Sequence, residues 1–542
     1  MTKRLNLYIY MALLCISSSN ASLAEKPPNV ILIVTDNQTE SLVGAYGNRD
    51  IKTPNIDSLA EKGMRFDRAY AVSGVCSPTR ATLLTGLIPS QHGVHNGLPS
   101  VVGMDGWAAI EEFRSLPQTL SEAGYNTALV GKYHLGVPEK PQIGFNYWVT
   151  FPSGHTTSFY DVQVIDNDKT YRLKGEHLTD FWTRRAVDFI DQQKNDKPFF
   201  LYLAYNGPYN LPPVVTREPV NRYVEYYTAH LPSFPQEPVH SYLRRLAINT
   251  STVEAVEKEQ AEMKDWGVDD AESIGKHGAK PELSFAWGAI DALNNKMAMV
   301  NLASEISMVD DGVGSVMEAL KERGFEDNTI IIFTSDQGSA YGQHGLWGNS
   351  SWASPTPVYK EHMQVPLIVY SPAHTNWGES TSMIINEFDI FPTILDLIEM
   401  KDKKIENSPG KSFADTIRGK RQDWDNTAYF EYISTRVIVK PDWKYIKRMF
   451  GEEAELYGLK LDPNENNNLI YNPEYAEIIK SLNAEMTTFF DRYVDKKYDP
   501  WQGGTGKAIL MYSDENGDFI ENFPGWEKPI VEKKPRFSDL RQ

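Results

Sequence analysis

One short segment of the 542-residue chain combines a sulfur nucleophile with a nearby guanidinium: Cys76-Ser77-Pro78-Thr79-Arg80. Pro78 is typical of the first turn of a helix, where its missing N–H leaves no hydrogen bond unmade. Cys76 is therefore expected at a helix amino terminus, where free N–H groups and the helix dipole favour an anion. Arg80 follows about one turn later and can reach back towards residue 76. From spacing alone, the segment predicts a cysteine in a positive environment, such as an ordinary thiolate nucleophile.

The chain contains only two cysteines, Cys15 and Cys76. Two basic residues precede an apolar segment at 5–16, and small residues follow up to Ala24, which is the pattern of a cleaved secretory signal. A membrane anchor is less favoured because the apolar run is too short to span a bilayer. We therefore expect residues 1–24 to be removed on export, to the periplasm or the medium. The remaining lone cysteine is either a buried small hydrophobe or a functional residue, and its neighbours favour the second.

The charge of the chain limits its partners. The formal net charge is −18, and it becomes −20 once residues 1–24 are removed. An acidic surface repels nucleic acids and anionic membranes, and no internal stretch is apolar for long enough to cross a bilayer. We expect no nucleic-acid partner and no stable membrane insertion. An anionic substrate would need a locally positive pocket.

Apolar runs and helical spacing indicate the fold class. Buried strands are predicted from continuous apolar runs at 29–35, 127–130, 198–205, 329–333 and 365–370. Residues 180–194 and 300–323 have the three- or four-residue spacing of helices. Strands that alternate with helices predict an α/β fold, with a large, mostly parallel sheet sandwiched by helices. Ligands of such sheets bind at the carboxyl ends of the strands.

The pattern changes twice along the chain. Residues 211–290 are rich in Pro, Tyr, His and charge, and predict an irregular, partly helical excursion. After residue 426, antiparallel strands are predicted at 436–439 and 443–446, and a closing helix at 473–493. We therefore expect a catalytic domain over 25–425 that includes the excursion. A smaller α+β subdomain, with a tail of no clear period, is expected over 426–542.

Oxygen-bearing side chains end two of the predicted strands. Asp36 and Asn37 follow the first strand, and Asp336 and Gln337 follow the strand at 329–333. Because the carboxyl ends of parallel strands meet at one edge of a sheet, four side-chain oxygens are expected to converge there, as a hard cation requires. Each pair taken alone also fits ordinary turn capping after a strand. Together with Cys76, the two pairs favour a metal site.

These motifs resemble those of a known family. The segment from Cys76 to Gly86 resembles the signature of the type I sulfatases, which belong to the alkaline phosphatase superfamily. The stretch at 124–136, GYNTALVGKYHLG, resembles the second motif of that family at nearly every position. Further family-like stretches lie at 53–57, 391–393 and 455–463. The resemblance covers residues 28–495 apart from the excursion, which excludes coincidence.

The resemblance implies a covalent mechanism. Cys76 would be oxidised to 3-oxoalanine (formylglycine) by a formylglycine-generating or an anaerobic sulfatase-maturing enzyme. The hydrated aldehyde would attack sulfur while Lys132 neutralises the sulfate oxygens and Arg80 holds the nucleophile. His134 would then take a proton from the second hydroxyl, which expels sulfate. A loop histidine can serve only as a hydrogen-bonding group, but its place in the second motif favours the catalytic role for His134.

The resemblance also implies a calcium site made of Asp36, Asn37, Cys76, Asp336 and Gln337. The chain departs from the family pattern twice, because Asn37 replaces an aspartate and Gln337 replaces an Asn or His. Both substitutes keep a carbonyl oxygen, while the formal ligand charge falls from three negative to two. We therefore expect a site that binds calcium more weakly, or that tolerates another divalent ion.

Two other family features are not evident in the sequence. Tyr209 stands where many members have a histidine as leaving-group acid, and an ordinary tyrosine pKa of about 10 makes it a weak acid. The family's second sulfate-binding lysine has no counterpart in 349–356, although Lys360 is close. His155 and His344 are candidate replacements, and each fits a structural loop histidine equally well.

The sequence thus predicts a sulfuric ester hydrolase that acts on a sulfated polysaccharide or its oligosaccharides. Aromatic residues at 148–160 either stack on sugar faces or belong to the core. Two alternatives remain: a phosphonate or phosphate ester hydrolase of the same superfamily, and an inactive carbohydrate-binding homologue. A cysteine within the full signature argues against members of the superfamily with a serine or threonine nucleophile, but leaves a formylglycine-dependent phosphonate hydrolase open. The intact set of Cys76, Arg80, Lys132 and His134 argues against the second.

Overall fold

The computed structural model describes residues 26–98, 108–136, 138–152, 154, 156, 158–212, 214–216, 221–249, 285–373, 378–449, 451–504 and 506–507. The predicted export signal, His155, much of the excursion and the end of the chain lie outside these residues. Within them, we find no helix with the length and apolar character needed to cross a membrane.

A ten-stranded sheet dominates the fold, together with a two-stranded pair and a four-stranded antiparallel sheet. The strands are β1 (Asn29–Thr35), β2 (Met64–Tyr70), β3 (Asn126–Gly131), β4 (Tyr147–Thr150), β5 (Gln163–Asp166), β6 (Lys169–Arg172), β7 (Phe199–Ala204), β8 (Thr329–Ser335), β9 (Ala340–Tyr341), β10 (Trp347–Gly348), β11 (Gln364–Tyr370), β12 (Glu379–Asn386), β13 (Ala428–Tyr432), β14 (Thr435–Val439), β15 (Trp443–Arg448) and β16 (Glu455–Gly458).

The large sheet has the strand order β12-β2-β11-β8-β1-β7-β3-β4-β5-β6. Its centre, from β8 to β4, is parallel throughout. Antiparallel pairing is found where β11 meets its two neighbours and where β5 pairs with β4 and β6. The predicted buried strands correspond to β1, β3, β7, β8 and β11. The expected α/β fold with a mostly parallel sheet is therefore confirmed.

Helices cover both faces of this sheet. They are α1 (Pro54–Glu61), α2 (Cys76–Thr85), α3 (Pro89–His92), α4 (Leu116–Glu122), α5 (Leu178–Asp191), α6 (Val224–Ala229), α7 (Ser241–Asn249), α8 (Phe285–Asn294), α9 (Lys296–Glu322), α10 (Lys360–Met363), α11 (Ile390–Leu397), α12 (Ala414–Ile417) and α13 (Ala476–Tyr493). Alternate residues of β1 enter different cores. Ile31 and Ile33 pack in the cluster that contains α5 and α9. Val30 and Leu32 pack in the cluster that contains α2 and α11. This two-sided burial explains the continuous apolar run of β1.

Strands β13 to β16 form the antiparallel sheet near the C-terminus. Strands β14 and β15 correspond to the two predicted antiparallel strands, whereas β13 and β16 were not predicted. Helix α13 packs against it through an apolar stripe that includes Leu482, Met486 and Phe490. The Phe489 ring of the same helix stacks on Tyr429 of β13, with 3.6 Å between the ring centroids. The apolar cluster between α13 and this sheet also includes Val72, Ile88 and Phe388, which lie outside the C-terminal region.

The described part of the excursion crosses the loop between β8 and β11. The His240 N–H donates to the Gly345 carbonyl at 3.0 Å. Gly345 has a φ of 67°, and a Cβ atom there would lie 1.8 Å from the Pro238 carbonyl oxygen. A glycine is therefore required where the two chain segments cross. The excursion lies directly against the loop that follows Asp336 and Gln337.

Strand β3 ends on a glycine that two constraints require. Gly131 has a φ of 110°, and a Cβ atom there would lie 1.9 Å from the Ala204 carbonyl oxygen of β7. The same carbonyl accepts a hydrogen bond of 2.8 Å from the Lys132 N–H. The close approach of β3 to β7 thus fixes the backbone from which the Lys132 side chain projects.

We predict that Gly131→Ala lowers the free energy of unfolding by about 3 kcal/mol, because it adds an atomic overlap to a strained φ. Gly124→Ala is the matched control, since Gly124 has a φ of 91° but nothing within 4 Å of the added Cβ. It should cost only about 1 kcal/mol. Urea unfolding followed by circular dichroism measures both changes. Equal losses in the two variants would contradict the proposed overlap with β7.

Candidate active site

The two predicted pairs of oxygen-bearing residues meet at one edge of the large sheet. Strands β1 and β8 are parallel neighbours in register, with Thr35 opposite Ser335. The residues that follow them therefore leave the sheet side by side, and the Asn37 N–H donates to Asp336 Oδ1 at 3.2 Å. Helix α2 begins at Cys76, as predicted, and places that residue over the same edge.

Two buried ion pairs lie next to Cys76. Lys132 Nζ is 2.6 Å from Asp36 Oδ2, and Arg80 donates to Asp336 Oδ2 from two nitrogens, at 2.9 and 2.6 Å. All four side chains are fully buried. A third Arg80 nitrogen donates to the Lys132 carbonyl at 2.8 Å, which ties the two pairs together. With two positive and two negative groups, the cluster is electrically balanced.

The thiol of Cys76 is buried within this cluster. Its Sγ donates to Asp36 Oδ1 at 3.5 Å and accepts from Gln337 Nε2 at 3.3 Å. Burial, and next the Asp36 carboxylate, raise the pKa of the Cys76 thiol to about 12. The positive environment expected from spacing is thus offset by two carboxylates. The interpretation of Cys76 as an ordinary thiolate nucleophile is not supported.

Asn349 is a site residue that the sequence analysis missed. Its Nδ2 donates to Asn37 Oδ1 at 3.2 Å, beside the bond that Gln337 Nε2 makes to the same oxygen. Its Oδ1 accepts from the Ser351 N–H at 3.1 Å and from the Ser351 hydroxyl at 2.7 Å, which fixes the orientation of the amide. The Asn-x-Ser spacing signals a capped turn. It gives no indication that the other end of the amide contacts Asn37.

The residues at this edge fit a hard divalent cation. One ligand atom each from Asp36, Cys76 and Asp336 lies within 4.8 Å of the others. Among the described residues, the buried Gln337 Oε1 has no hydrogen-bond partner. Burial, and next the Asp36 carboxylate, raise the pKa of Asp336 to about 6. A cation between the two carboxylates would relieve that repulsion. Both carboxylates already face a side-chain cation, so a metal ion here meets a balanced site, not a strongly acidic one.

His134 lies beside the amino end of α2. Its Nε2 is 2.9 Å from the Leu98 carbonyl oxygen, and its own carbonyl accepts from the Ser77 hydroxyl at 2.8 Å. The residue has a φ of 58° and is buried. The loop after β3 therefore places Lys132 next to Asp36 and His134 next to Ser77.

Among the less certain residues, the structure brings Tyr209 to the site. Lys132 Nζ lies 5.5 Å from the centroid of its ring. Burial raises the pKa of Tyr209 well above its ordinary value. The hydroxyl is therefore suited to donate a hydrogen bond, and it is a poor leaving-group acid.

The described contacts of His344 and Lys360 lie outside the cluster around Cys76. The His344 ring stacks on Tyr359 at 3.8 Å, and its Nε2 is 3.9 Å from Glu361 Oε2. Burial lowers the pKa of His344 to about 4. The Lys360 N–H donates to Glu465 at 3.0 Å. None of these described contacts reaches the cluster around Cys76, and His155 lies outside the described residues.

The aromatic residues at 148–160 belong mainly to the core. Trp148, Phe151 and Phe159 are buried. Trp148 packs edge-on against Tyr133, with 4.9 Å between the ring centroids. Of the two interpretations that the sequence left open for these rings, the structure supports core packing over sugar stacking.

Comparisons with known proteins identify the family of the chain. A family model described as Sulfatase matches residues 28–400. The chain belongs to the sulfatase family. A second model, described as N-sulphoglucosamine sulphohydrolase, C-terminal, matches residues 348–491 of this sulfatase. The predicted class of enzyme, a sulfuric ester hydrolase, is confirmed.

Several relatives are similar to this sulfatase over most of its length. An N-acetylglucosamine-6-O-sulfatase from Bacteroides thetaiotaomicron is 28% identical over 520 residues, which cover 88% of each chain. Human N-sulphoglucosamine sulphohydrolase is 24% identical over 88% of this chain and 91% of its own. A structure described as in complex with its substrate, D-glucosamine-2-N,6-O-disulfate, matches with a TM-score of 0.66. It is 26% identical and covers 86% of this chain and 98% of its own.

We predict that Lys132→Met lowers the free energy of unfolding by about 3–5 kcal/mol in EDTA, because it leaves the Asp36 carboxylate buried without its cation. The double variant Asp36→Asn/Lys132→Met removes both charges and should regain most of that loss. Urea unfolding measures each variant. The exposed pair of Lys321 and Glu318 supplies the control, and Lys321→Met should change stability by less than about 0.5 kcal/mol. A double variant as unstable as Lys132→Met would contradict the pairing.

Proposed function

We propose that this sulfatase removes sulfate from sulfated hexosamines of glycosaminoglycan-like saccharides, using formylglycine at position 76 and a divalent cation. The observation that carries the proposal is the arrangement around Cys76. A buried thiol with a raised pKa lies between two carboxylates, and each carboxylate is paired with a buried cation. That arrangement is poor for thiolate chemistry and suits an oxygen nucleophile beside a metal ion.

Formylglycine, when present and hydrated, would supply one hydroxyl as the nucleophile and a second hydroxyl on the same carbon, whose deprotonation would break the bond to the sulfate oxygen and restore the aldehyde. Lys132, Arg80 and His134 would supply charge stabilisation, positioning and proton transfer. The Lys132 ammonium is placed to offset negative charge on the sulfate oxygens, since it lies in a buried site where electrostatic interactions are strong. Arg80 holds Asp336 and the Lys132 carbonyl, which keeps both ion pairs in place. His134, beside the amino end of α2, would accept the proton.

Five residues would hold the cation: Asp36, Asn37, residue 76, Asp336 and Gln337. The metal would supply Lewis-acid stabilisation of the sulfate oxygens and of the nucleophile. Calcium suits these oxygen ligands and the mixture of carboxylate and amide groups. The two amides and the two ion-paired carboxylates support a modest affinity, as the sequence predicts.

The substrate class is supported by the relatives. Two of them are named for sulfatase activity on glucosamine derivatives, and a third was solved with a disulfated glucosamine. The match to the N-sulphoglucosamine sulphohydrolase C-terminal model adds to this support. A sulfated hexosamine of an oligosaccharide fits these names and the predicted polysaccharide substrate. The predicted signal at 1–24 supports an exported enzyme. Formylglycine at position 76 would require a maturation enzyme in the producing cell.

A phosphonate or phosphate ester hydrolase is the second candidate. The structure of a phosphonate monoester hydrolase from Agrobacterium radiobacter matches with a TM-score of 0.62 and 21% identity, covering 86% of this chain and 96% of its own. At that identity the likeness shows the fold alone. The rates of sulfate and phosphate release from matched esters decide between the two candidate functions.

We predict that the protein, co-expressed with a maturation enzyme, releases sulfate from glucosamine 6-sulfate and N-sulfated glucosamine oligosaccharides. The mass of the peptide that contains residue 76 should show loss of the thiol and gain of an aldehyde oxygen. Cys76→Ala removes the nucleophile and should reduce sulfate release to background, while the circular dichroism spectrum stays that of the parent. Ion chromatography of sulfate and phosphate released from matched esters provides the measurement. Faster release of phosphate than of sulfate would overturn the proposal.

We predict that Asn37→Asp tightens calcium binding by about tenfold, because it restores a third carboxylate to the ligand set. Isothermal titration of the metal-free protein gives the Kd. Asn48→Asp makes the same change of net charge at a turn outside the cluster, where Asn48 Oδ1 accepts from two backbone N–H groups. That control should leave the Kd near the parent value. Equal affinities for Asn37→Asp and the parent would exclude Asn37 as a ligand.

A further inference from the structure

Ser77 is the residue after the nucleophile position. It connects the loop after β3 with the segment that contains Leu98. Its hydroxyl donates to the His134 carbonyl at 2.8 Å and accepts from the Leu98 N–H at 3.0 Å. The Leu98 carbonyl in turn lies 2.9 Å from His134 Nε2. Three residues thus form a closed ring of hydrogen bonds, and all three are buried.

This ring of hydrogen bonds determines which imidazole nitrogen of His134 carries the proton. A backbone carbonyl can only accept a hydrogen bond, so His134 Nε2 must carry the proton in the contact with Leu98. The neutral imidazole then has its lone pair on Nδ1. An oxygen partner that orients one ring nitrogen and leaves the other as the base is a common way to set the tautomer of a functional histidine.

The residues just before Leu98 make two further hydrogen bonds. The Asn96 side chain accepts from the Tyr432 hydroxyl at 3.0 Å. His95 Nε2 is 2.7 Å from the Tyr498 carbonyl. The segment before Leu98 is therefore anchored to the C-terminal part of the chain.

Space around the ring restricts the imidazole further. A Cβ atom at Gly154 would lie 2.0 Å from His134 Nε2. The backbone at Gly154 therefore closes the side of the ring that faces Leu98. The left-handed φ of 58° at His134 is uncommon for a residue with a side chain, and its carbonyl is held there by Ser77.

We propose that Ser77 is a positioning residue that holds His134 in the Nε2–H tautomer, so that Nδ1 is the atom that accepts a proton during turnover. Ser77 acts through His134 and Leu98 and does not touch the substrate. This inference rests on the proposed function for the role of His134 in turnover. The tautomer itself is a property of the unmodified chain.

The first test is nuclear magnetic resonance of protein labelled with ¹⁵N at histidine, with residue 76 verified by mass as unmodified cysteine. Long-range ¹H–¹⁵N spectra distinguish the two tautomers, and loss of signals in His134→Asn identifies those of His134. We expect Nε2–H in the parent and in Ser77→Thr, which keeps the hydroxyl. Ser77→Ala should give a mixture of tautomers. An Nδ1–H tautomer in the parent would overturn the proposal, as would a Ser77→Ala spectrum identical to the parent spectrum.

The second test is kinetic and uses matured protein whose formylglycine content is equal in all variants by peptide mass. Ser77→Ala should lower kcat by about 10- to 100-fold, because an imidazole in the wrong tautomer loses much of the effect of a general base. KM should stay near the parent value, and Ser77→Thr should recover kcat. An unchanged kcat in Ser77→Ala, or a loss confined to KM, would contradict the proposed role.

Thr79→Val is the matched control from the same helix. The Thr79 hydroxyl is buried and has no hydrogen-bond partner among the described residues. Its removal should leave both the His134 tautomer and kcat unchanged. If the parent releases no sulfate, the proposed function fails while the spectra still decide the tautomer, so the two failures can be distinguished.

Discussion

The site depends on the mutual neutralisation of four buried charges. Asp36 and Asp336 leave the ends of two adjacent strands and would repel each other in a region without water. Lys132 and Arg80 offset that repulsion, and the Arg80 bond to the Lys132 carbonyl makes the two pairs one unit. Removing one partner of a buried pair costs far more than the pair itself contributes to stability. Cys76 therefore lies beside a fixed set of four charges, and α2, the loop after β3 and both strand ends must keep their relative positions.

Register is what brings these groups together from distant parts of the sequence. Strands β1 and β8 pair without offset, and β3 pairs with β7 next to them. A slip of one residue in any of these pairings would turn a charged side chain away from the cluster. The continuous apolar strands, buried on both faces, resist such slips. The core of the sheet and the chemistry at its edge are thus two results of the same pairing.

Much of this arrangement was predictable from the sequence. The strand at 29–35, the helix start at Cys76 and the oxygen-bearing pairs after β1 and β8 follow from apolar runs, a proline and the strand-end rule. The contact of Asn349 with Asn37 was not predictable, because it depends on how a distant loop folds back. The ring that joins Ser77, Leu98 and His134 likewise depends on three segments meeting in space. Local signals identify the groups that react, whereas the groups that orient them are set by tertiary packing.

The crossing of the excursion over Gly345 has a consequence for how such enzymes diverge. Two segments about a hundred residues apart meet there with backbone against backbone, and no side chain fits between them. An insertion exchanged with that of another sulfatase would need a compatible partner loop, so the two segments are expected to change together. Recombination that moves only one of them would leave a clash or a gap next to the loop that follows Asp336 and Gln337. The excursion and the loop around Gly345 are therefore expected to change in pairs as the family diversifies.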